Sequence, residues 1–477
     1  MHKKYILVLL ITGHFQILPG QKKDKVPEQL ERSRHKYEQI AHTIWEYAEL
    51  GYQEHRSSQL LQQTLLEEGF NVDKGVAEIP TAFVASYGSG SPVIGILAEF
   101  DALPGISQDA VPERREVVKG GNGHACGHHL FGTASVAAAI AVKNWMKSSG
   151  QKGTIRLYGT PAEEGGAGKV YMVRAGLFDD VDAVLHWHPS PVNAANAASS
   201  LANKSAKFRF YGVSAHAASA PHFGRSALDA VEAMNYMVNL MREHVQSDSR
   251  IHYVITEGGK APNVIPEFAE VFYYVRHPEM DIARENFEWV VKAAEGAAMG
   301  TNTRMEYEVI HGAYNLMPNE TLARVVHKNL EQIGGYTYTP EELAFAEKIR
   351  ETLPEKKQQD LDLVSQVEPF EVQERGRRGS TDVGDISWVV PTAGLSTATW
   401  VPGTSAHTWQ AVAAGGMSIG HKGMMLAAKT LALSAIDFYR DQEVLKKAKE
   451  ELLRRTGPEF SYAPLLGDRK PPLDYRK

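Results

Sequence analysis

The stretch TAFVASYGSGSPVIGILAEF, residues 81–100, contains two strand-like runs on either side of a Gly-Ser-Gly-Ser-Pro turn. The second run, residues 93–100, is almost continuously apolar, which is typical of a strand buried on both faces of a sheet. Beyond it, helical and strand-like patterns alternate over residues 130–148, 154–160, 168–176 and 181–187. This alternation predicts an α/β fold in which a mostly parallel sheet has helices on both faces.

The hydrophobic pattern changes after about residue 203 and changes again after residue 313. Between these points, four strand-like and two helical segments predict an α+β module of roughly 110 residues, a common domain size. We therefore predict one catalytic α/β domain in two pieces, 21–203 and 314–450, interrupted by a smaller domain at 204–313. Residues 451–477 contain Pro-Pro and mixed charge, a composition typical of an extended tail.

Residues 1–20, MHKKYILVLLITGHFQILPG, have the pattern of a secretory signal peptide. Lys3 and Lys4 precede an apolar core, and a Pro-Gly break follows it. The core is far shorter than the roughly 20 residues needed to span a bilayer, although a short buried strand or a membrane anchor is an alternative. We expect the protein to be exported, periplasmic or secreted, after residues 1–20 are removed.

The composition excludes several classes of protein. The chain has 477 residues, of which 43% are hydrophobic and 23% charged, and it contains no repeat or low-complexity tract, so disorder, collagen and coiled coil are excluded. Its formal net charge of -6 is too small to indicate a nucleic-acid or anionic-membrane surface, and we expect a small-molecule partner. The single cysteine, Cys126, excludes an intrachain disulfide.

Three short segments at predicted strand ends contain the residues that could bind a ligand or take part in catalysis, because ligands of open α/β sheets bind there. The first is GGNGHACGHH, residues 120–129. On this glycine-rich loop Cys126 and His128 can face one centre, and a thiolate with an imidazole is a good zinc-type ligand pair. A buried thiol with a surface histidine fits the segment equally well.

The second segment is TPAEEGG, residues 160–166, directly after a predicted strand. Adjacent glutamates before two glycines are typical of a solvated turn. Beside a metal ion, however, one carboxylate can bind the ion while the other takes a proton from water.

The third segment is HWHP, residues 186–189, at the end of another predicted strand. In an extended backbone His186 and His188 point the same way, and a histidine packed in the core is the alternative for either. Considered together, the chemically active residues of the three segments fall at successive strand-to-loop junctions of one sheet. This common position favours a metal site over three unrelated features.

Seven motifs in order resemble the metal-dependent amidohydrolase and carboxypeptidase family that includes hippurate hydrolase and auxin-conjugate hydrolases. The motifs are GILAEFDALPGISQDA, GHACGHHLFGTA, PAEEGGAGKVYMVRAGLFDDVDAVLHWHP, GVSAHAASAPHFGRSALDAVE, APNVIPEFAEVFYYVR, STDVGDISWVVPT and PGTSAHTWQAVA. The resemblance implies a metallopeptidase-type fold and hydrolysis of the amide bond of N-acyl or N-aroyl amino acids or dipeptide-like substrates, with p-aminobenzoyl-glutamate as the candidate. It also implies two divalent metal ions, zinc or manganese, and a homodimer or a homologous second subunit.

The resemblance assigns roles to individual residues. It implies five metal ligands, with the thiolate of the first as the bridge: Cys126, His128, Glu164, His188 and His407. Glu163 matches the general base, and Asn263 and Arg276 match substrate-binding residues, the latter for a carboxylate. His216 lies in the smaller domain, which forms the dimer interface and lid in this family, and matches a histidine that polarises the scissile carbonyl in the partner subunit's site.

The sequence departs from the family pattern at His129, where hippurate-type relatives have aspartate, so we expect a carboxylate behind the metal ligands to be missing. A serine hydrolase is an alternative because GMSIG, residues 416–420, fits the nucleophile-elbow pattern. That fold requires an acid and then a histidine downstream, and only His421 follows. A non-catalytic exported binding protein for N-acyl amino acids is the other alternative, but such a protein needs no general base at Glu163.

Overall fold

The structure is a computed structural model that describes residues 23–374 and 379–476. The expected signal peptide, residues 1–20, lies outside the described residues. Within the described ranges, the strands form one eight-stranded and one four-stranded sheet. None of the helices in these ranges is both long and apolar enough to span a bilayer.

The strands are β1 (Asn71–Lys74), β2 (Phe83–Ser89), β3 (Val93–Ala98), β4 (Gly153–Gly159), β5 (Ala183–Ser190), β6 (Ala194–Ala198), β7 (Ala202–Tyr211), β8 (Arg250–Glu257), β9 (Phe268–His277), β10 (Arg304–Ala313), β11 (Val372–Gln373) and β12 (Thr392–Ala398). The α-helices are α1 (Val26–Arg32), α2 (Arg34–Tyr47), α3 (His55–Glu67), α4 (His128–Ser149), α5 (Gly168–Arg174), α6 (Ala227–Met241), α7 (Met280–Thr301), α8 (Glu320–Ile333), α9 (Pro340–Glu351), α10 (Val383–Val389), α11 (Trp409–Gly415), α12 (Ser418–Arg440) and α13 (Gln442–Thr456). Short 3-10 helices cover Lys23–Lys25, Val76–Glu78, Pro221–Phe223, Arg242–His244, Glu355–Lys357 and Leu361–Ser365.

The larger sheet has the order β1-β2-β4-β3-β5-β12-β6-β11. Its centre, β4-β3-β5-β12, is parallel, which confirms the predicted α/β class. The β1–β2 and β2–β4 pairs at one edge are antiparallel. The connection between β2 and β3 is too short for a crossover, so β2 runs opposite to β3 and to the parallel strand β4. Strand β12 lies between β5 and β6. The larger sheet therefore contains strands from the parts of the chain that precede and follow the smaller sheet in the sequence.

Helix α4 packs closely against the carboxyl end of β3. A Cβ at Gly132 would lie 2.7 Å from the carbonyl oxygen of Glu99, so only glycine allows this approach. The strand itself is buried along its whole length, as its apolar sequence predicts. The close contact brings the first residue of α4, His128, next to the residues that follow β3.

The smaller sheet has the order β10-β7-β9-β8 and is antiparallel throughout. Helices α6 and α7 pack against it, and Phe208, Val271 and Phe287 are fully buried in its core. Strand β8 forms a free edge, where Val254 is 55% and Ile255 is 40% exposed. The smaller sheet therefore has its own hydrophobic core and one apolar edge.

The predicted tail boundary at residue 450 lies inside α13, which continues to Thr456. Beyond the helix, Leu465 and Leu466 are buried, and Arg174 of α5 donates hydrogen bonds to the carbonyl oxygens of Gly467 and Arg469. The segment after α13 therefore packs against the rest of the protein, because its leucines and carbonyl groups find partners there.

A substitution at Gly394 of β12 tests how closely this strand packs against the neighbouring strand β5. A Cβ at this position would lie 2.3 Å from His186 Nε2 on β5, so we expect Gly394→Ala to lower the free energy of unfolding by about 1–3 kcal/mol. A Cβ at Gly300 in α7 meets nothing within 4 Å, so Gly300→Ala is a matched control that should not destabilise the protein. Urea denaturation of both variants measures the difference, and equal stabilities would contradict the close fit.

Candidate active site

The loops that follow the parallel strands converge on one cavity of about 330 Å³. Its lining includes Cys126, Glu163, Glu164, His188 and His407. These residues come from loops after β3, β4 and β12 and from the end of β5, so the sheet topology itself brings them together.

The five residues that the resemblance assigns as metal ligands form two groups that share Cys126. The ligand atoms of Cys126, His128 and His188 lie within 4.8 Å of one another. The same holds for Cys126, Glu164 and His407. His407 lies far along the chain, yet its backbone N–H donates to the carbonyl oxygen of Ala125 at 2.9 Å, which holds it beside the cysteine loop.

Asp101 orients two of these residues. Its Oδ1 lies 2.8 Å from His128 Nδ1, and its Oδ2 accepts a hydrogen bond from the backbone N–H of Glu164 at 2.9 Å. Carboxylates in this position fix the orientation of a metal-binding histidine and raise its basicity. The sequence prediction did not single out Asp101, although its place just after the buried strand β3 was the signal that could have identified it.

A fully buried ion network lies behind His128. Lys169 Nζ lies 2.8 Å from Glu99 Oε1 and 2.6 Å from Asp382 Oδ1. Burial lowers the pKa of Lys169, but the charges of Asp382 and Glu99 outweigh it and hold that pKa above its usual value. Glu99 Oε2 lies 3.1 Å from His128 Nε2. None of these contacts was predicted, because a lysine within an apolar helix gives no sequence signal of its partners.

Glu163 lies beside the proposed ligands in an environment that favours the protonated form. Burial raises the pKa of the Glu163 carboxyl well above its usual value, and the charges of Glu99 and Glu164 raise it further. A carboxyl group next to the proposed ligands is placed to exchange a proton with a water molecule there. Burial likewise raises the pKa of the Cys126 thiol well above its usual value.

The residues present fit a divalent metal centre. His128 Nε2 and Glu99 Oε2 are buried and lie 3.1 Å apart, but neither makes a well-formed hydrogen bond with the other or with any other described residue. A cation between such groups would satisfy atoms that are otherwise costly to bury. Thiolate and imidazole favour zinc, whereas carboxylate and imidazole also suit manganese.

The backbone around the site is strained at two non-glycine positions. Ala162 and His407 have φ angles of 59° and 61°, in the left-handed region. Buried Glu54 holds the first of these, because its Oε1 accepts a hydrogen bond from the Ala162 N–H at 2.9 Å. Its other oxygen accepts from the Thr81 hydroxyl at 3.0 Å. Such strain is retained at functional sites where the surroundings determine the conformation.

His129 does not face the proposed ligands. Its Nε2 lies 3.0 Å from the carbonyl oxygen of Gly415, and its ring lies 4.8 Å from that of His124. Burial lowers the pKa of His129 well below its usual value, so the ring is neutral. A carboxylate nevertheless lies behind the proposed ligands, because Asp101 contacts His128.

The serine of the GMSIG segment has a structural role. Ser418 is the first residue of α12, and its hydroxyl donates to Glu342 Oε1 at 2.6 Å. Lys422 pairs with the same carboxylate. The serine thus ties the start of α12 to α9 and is not paired with a histidine base, in agreement with the sequence argument against a serine hydrolase.

The three remaining predicted residues lie in two places. His216 and Asn263 lie on neighbouring exposed loops of the smaller sheet, where the Asn263 carbonyl oxygen accepts a hydrogen bond from Ala217 N–H at 3.0 Å. Neither of them lines the cavity that contains Cys126. Arg276 of β9 instead lines an adjoining cavity of about 380 Å³ together with Glu163 and other residues.

Comparison with known proteins places this arrangement among metallopeptidases. Residues 95–364 match the profile of peptidase family M20/M25/M40. The chain is 41% identical over 464 residues to one of the subunits of p-aminobenzoyl-glutamate hydrolase from Escherichia coli strain K12, a match that covers 92% of this chain and 96% of that protein. It is 29% identical over 448 residues to Xaa-Arg dipeptidase of Mus musculus, which covers 90% of this chain and 91% of that protein.

The fold is also similar to that of a solved structure, the YXEP protein of Bacillus subtilis, described as a dinuclear metal-binding peptidase from the M20 family. The TM-score is 0.59 with 18% sequence identity, covering 86% of this chain and 99% of that chain. Together with the sequence relatives, this similarity confirms the resemblance drawn from the seven motifs.

Lys169→Met tests the buried ion network. Because the substitution leaves Glu99 and Asp382 buried without their countercharge, we expect the free energy of unfolding to fall by about 3–5 kcal/mol. In the variant the folded state holds protons on these carboxyls, so their folded pKa lies above the unfolded pKa and stability is lost as the pH rises. Urea denaturation at about pH 5 and about pH 8 measures how the free energy of unfolding changes with pH.

Lys36→Met is the control for that experiment. Lys36 pairs with Glu68 at 2.9 Å, but its side chain is 42% exposed. An exposed pair of this kind contributes less than about 1 kcal/mol, so its loss should have little effect. If both lysine variants were equally stable, Lys169 would not be the countercharge that the buried carboxylates require.

Proposed function

We propose a substrate class and a mechanism for this chain, which belongs to peptidase family M20/M25/M40. The chain is an enzyme of the peptidase and amidohydrolase class. The proposed reaction is hydrolysis of the amide bond of an N-acyl or N-aroyl amino acid, with p-aminobenzoyl-glutamate as the candidate substrate. The observation that carries the proposal is the convergence of the five ligand positions, four of which line one cavity while His128 is buried behind it, with Glu163 beside them.

Two divalent ions, zinc or manganese, are the proposed cofactors. One group of residues would hold each ion, with Cys126 common to both: His128 and His188 in one group, and Glu164 and His407 in the other. When bound, the ions would supply Lewis-acid polarisation of the amide carbonyl and activation of the attacking water.

Glu163 is the proposed general base. Its half-buried carboxyl group, which lines the cavity, would accept the proton of the attacking water and deliver it to the leaving amine nitrogen. The adjacent Glu164 has a different environment, because its Oε1 lies 3.1 Å from His407 Nε2. Glu163 would thus act as the general base, and Glu164 would act as a metal ligand.

A homodimer is the proposed assembly, and the edge of the smaller sheet supports it. Tyr253, Val254 and Ile255 of β8 are 38%, 55% and 40% exposed, although they are apolar and lie on a strand with unpaired backbone groups. Pairing of two β8 strands would cover these residues and provide hydrogen-bond partners for the backbone N–H and C=O groups at the edge. His216 is exposed and does not line its own chain's cavity, which supports a role in the partner subunit's site.

A hetero-oligomer with a homologous second protein is the alternative to a homodimer. The similar protein of Escherichia coli is one subunit of its hydrolase, and a different subunit of the same hydrolase is 27% identical to this chain over 268 residues. Measuring the mass of the purified chain in solution, alone and with such a homologous protein, distinguishes the two assemblies.

Glu163→Gln tests the proposed base. We expect kcat for p-aminobenzoyl-glutamate to fall by about a hundredfold or more, because the amide cannot accept the proton of the attacking water. Metal content, measured in parallel, should remain that of the wild-type protein. The matched variant Glu164→Gln should instead lose bound metal. Turnover close to wild type in Glu163→Gln would show that this residue is not the base, and binding without turnover in the wild type would support the binding-protein alternative.

Mixed dimers test the position of His216. His216→Ala and Glu163→Gln subunits should each be inactive alone. If His216 acts in the partner subunit's site, each mixed dimer recovers one active site, and random mixing restores about a quarter of the wild-type activity. If no activity returns although mixed dimers are shown to form, His216 does not act across the interface.

A further inference from the structure

Tyr475 and Arg476, the last two residues that the structure describes, reach the candidate active site. Tyr475 Oη donates a hydrogen bond to the carbonyl oxygen of Glu164 at 3.1 Å, and the Arg476 guanidinium donates to the same oxygen at 2.8 Å. The Tyr475 ring packs edge-on against Tyr52, with ring centroids 5.6 Å apart. The end of the chain is therefore held directly against one of the proposed metal ligands.

The segment before these residues is fixed by contacts with β10 of the smaller sheet and with the loop before α3. The Arg469 guanidinium donates to the carbonyl oxygens of Val309 and Ile310 in β10, each at 2.6 Å. Gln53, which precedes α3, donates to the carbonyl oxygen of Leu473 at 2.8 Å. Because the segment is attached on both sides, the position of the chain end is defined by the tertiary structure.

Arg476 lines the cavity of about 380 Å³ that adjoins the proposed metal ligands. Glu163 and Glu164 also line this cavity, together with Arg276 of β9 and His311 of β10. The cavity therefore connects the proposed reacting centre with two guanidinium groups, one from the smaller sheet and one from the C-terminal end.

Among the described residues no carboxylate is a direct partner of these two arginines, although Glu163, Glu164 and Asp382 line the same cavity. Within residues 23–374 and 379–476, neither arginine forms an ion pair with a carboxylate: Arg276 stacks over Tyr274, and Arg476 contacts a carbonyl oxygen and the Tyr475 ring. Arg276 Nε is buried without a hydrogen-bond partner among the described residues. The cavity therefore offers unused cationic donors, which indicates an anionic ligand.

We propose that Arg476 is a specificity-determining residue that binds a second carboxylate on the amino-acid part of the substrate, while Arg276 binds the α-carboxylate. This inference rests on the proposed function, because it assumes that an N-acyl amino acid occupies the cavity. Two guanidinium groups match a dicarboxylic amino acid such as glutamate, since each can hold a carboxylate through paired N–H donors. A substrate with a neutral side chain would leave Arg476 without an anionic partner.

Arg476→Gln in the full-length, metal-loaded protein tests this inference. The measurement is the ratio of kcat/KM for p-aminobenzoyl-glutamate to that for p-aminobenzoyl-glutamine, which differ only in the second carboxylate. We expect the ratio to fall about tenfold, mainly through a higher KM for the glutamate substrate, because a charge-assisted hydrogen bond is lost. A ratio that falls by less than about threefold overturns the inference, even if both activities decrease.

Lys470→Gln is the matched control in the same segment. Its side chain is 84% exposed and lies 3.6 Å from Glu78, away from the residues that line the cavity. We expect the substrate ratio to stay within about twofold of wild type, as for other exposed positions. An equal fall in both variants would indicate a general disturbance of the segment and would overturn the specific role of Arg476.

Calorimetry with the free amino acids separates this inference from the proposed function. The metal-loaded wild type should bind glutamate more tightly than glutamine, and Arg476→Gln should lose this preference. If the wild type cleaves neither aroyl substrate, the proposed function fails, whereas the binding preference still decides the role of Arg476. Equal binding of the two amino acids by the wild type would overturn the inference.

Discussion

Negative charge buried at the carboxyl end of the larger sheet is the constraint on which the rest of the site depends. Glu54, Glu99, Asp101 and Asp382 are each at most 1% exposed, and the pair of adjacent glutamates lies next to them. Burying carboxylates without compensation costs several kcal/mol each. Two kinds of compensation meet this cost. Burial raises the pKa of Glu54 well above its usual value and favours its protonated form, while Lys169 supplies positive charge on one side of the cluster and divalent cations would supply it on the other.

The need to compensate these buried carboxyl groups explains why the proposed ligands and the residues that orient them are closely packed. Glycine at position 132 lets α4 approach the end of β3, which brings His128 to Asp101. Asp101 in turn accepts a hydrogen bond from the backbone of Glu164, so one carboxylate orients residues from two loops. A shift of any one of these elements would change the distances between several ligand atoms at once.

The chain reaches the same site from its distant C-terminal parts. His407 is held by a backbone hydrogen bond to Ala125, and Arg476 by a hydrogen bond to the Glu164 carbonyl. The first of these positions was expected from a motif. The second was not, because the last residues read as a mixed-charge tail with no hydrophobic period. Long-range contacts of this kind have no signature in local sequence.

The sequence by itself determined the α/β class and the residue types available for metal binding and proton transfer. It could do so because strand and helix periods are local properties, and because Cys126, His128, the paired glutamates, His188 and His407 lie in motifs that resemble one family. Only the tertiary structure decided which charges neutralise each other. The pairing of Lys169 with Glu99 and Asp382 joins residues far apart in the chain. The place of Arg476 depends on contacts with β10, with the loop before α3 and with the Glu164 carbonyl. Electrostatic interactions depend on distance in space and on burial, and neither can be obtained from the spacing of residues along the chain.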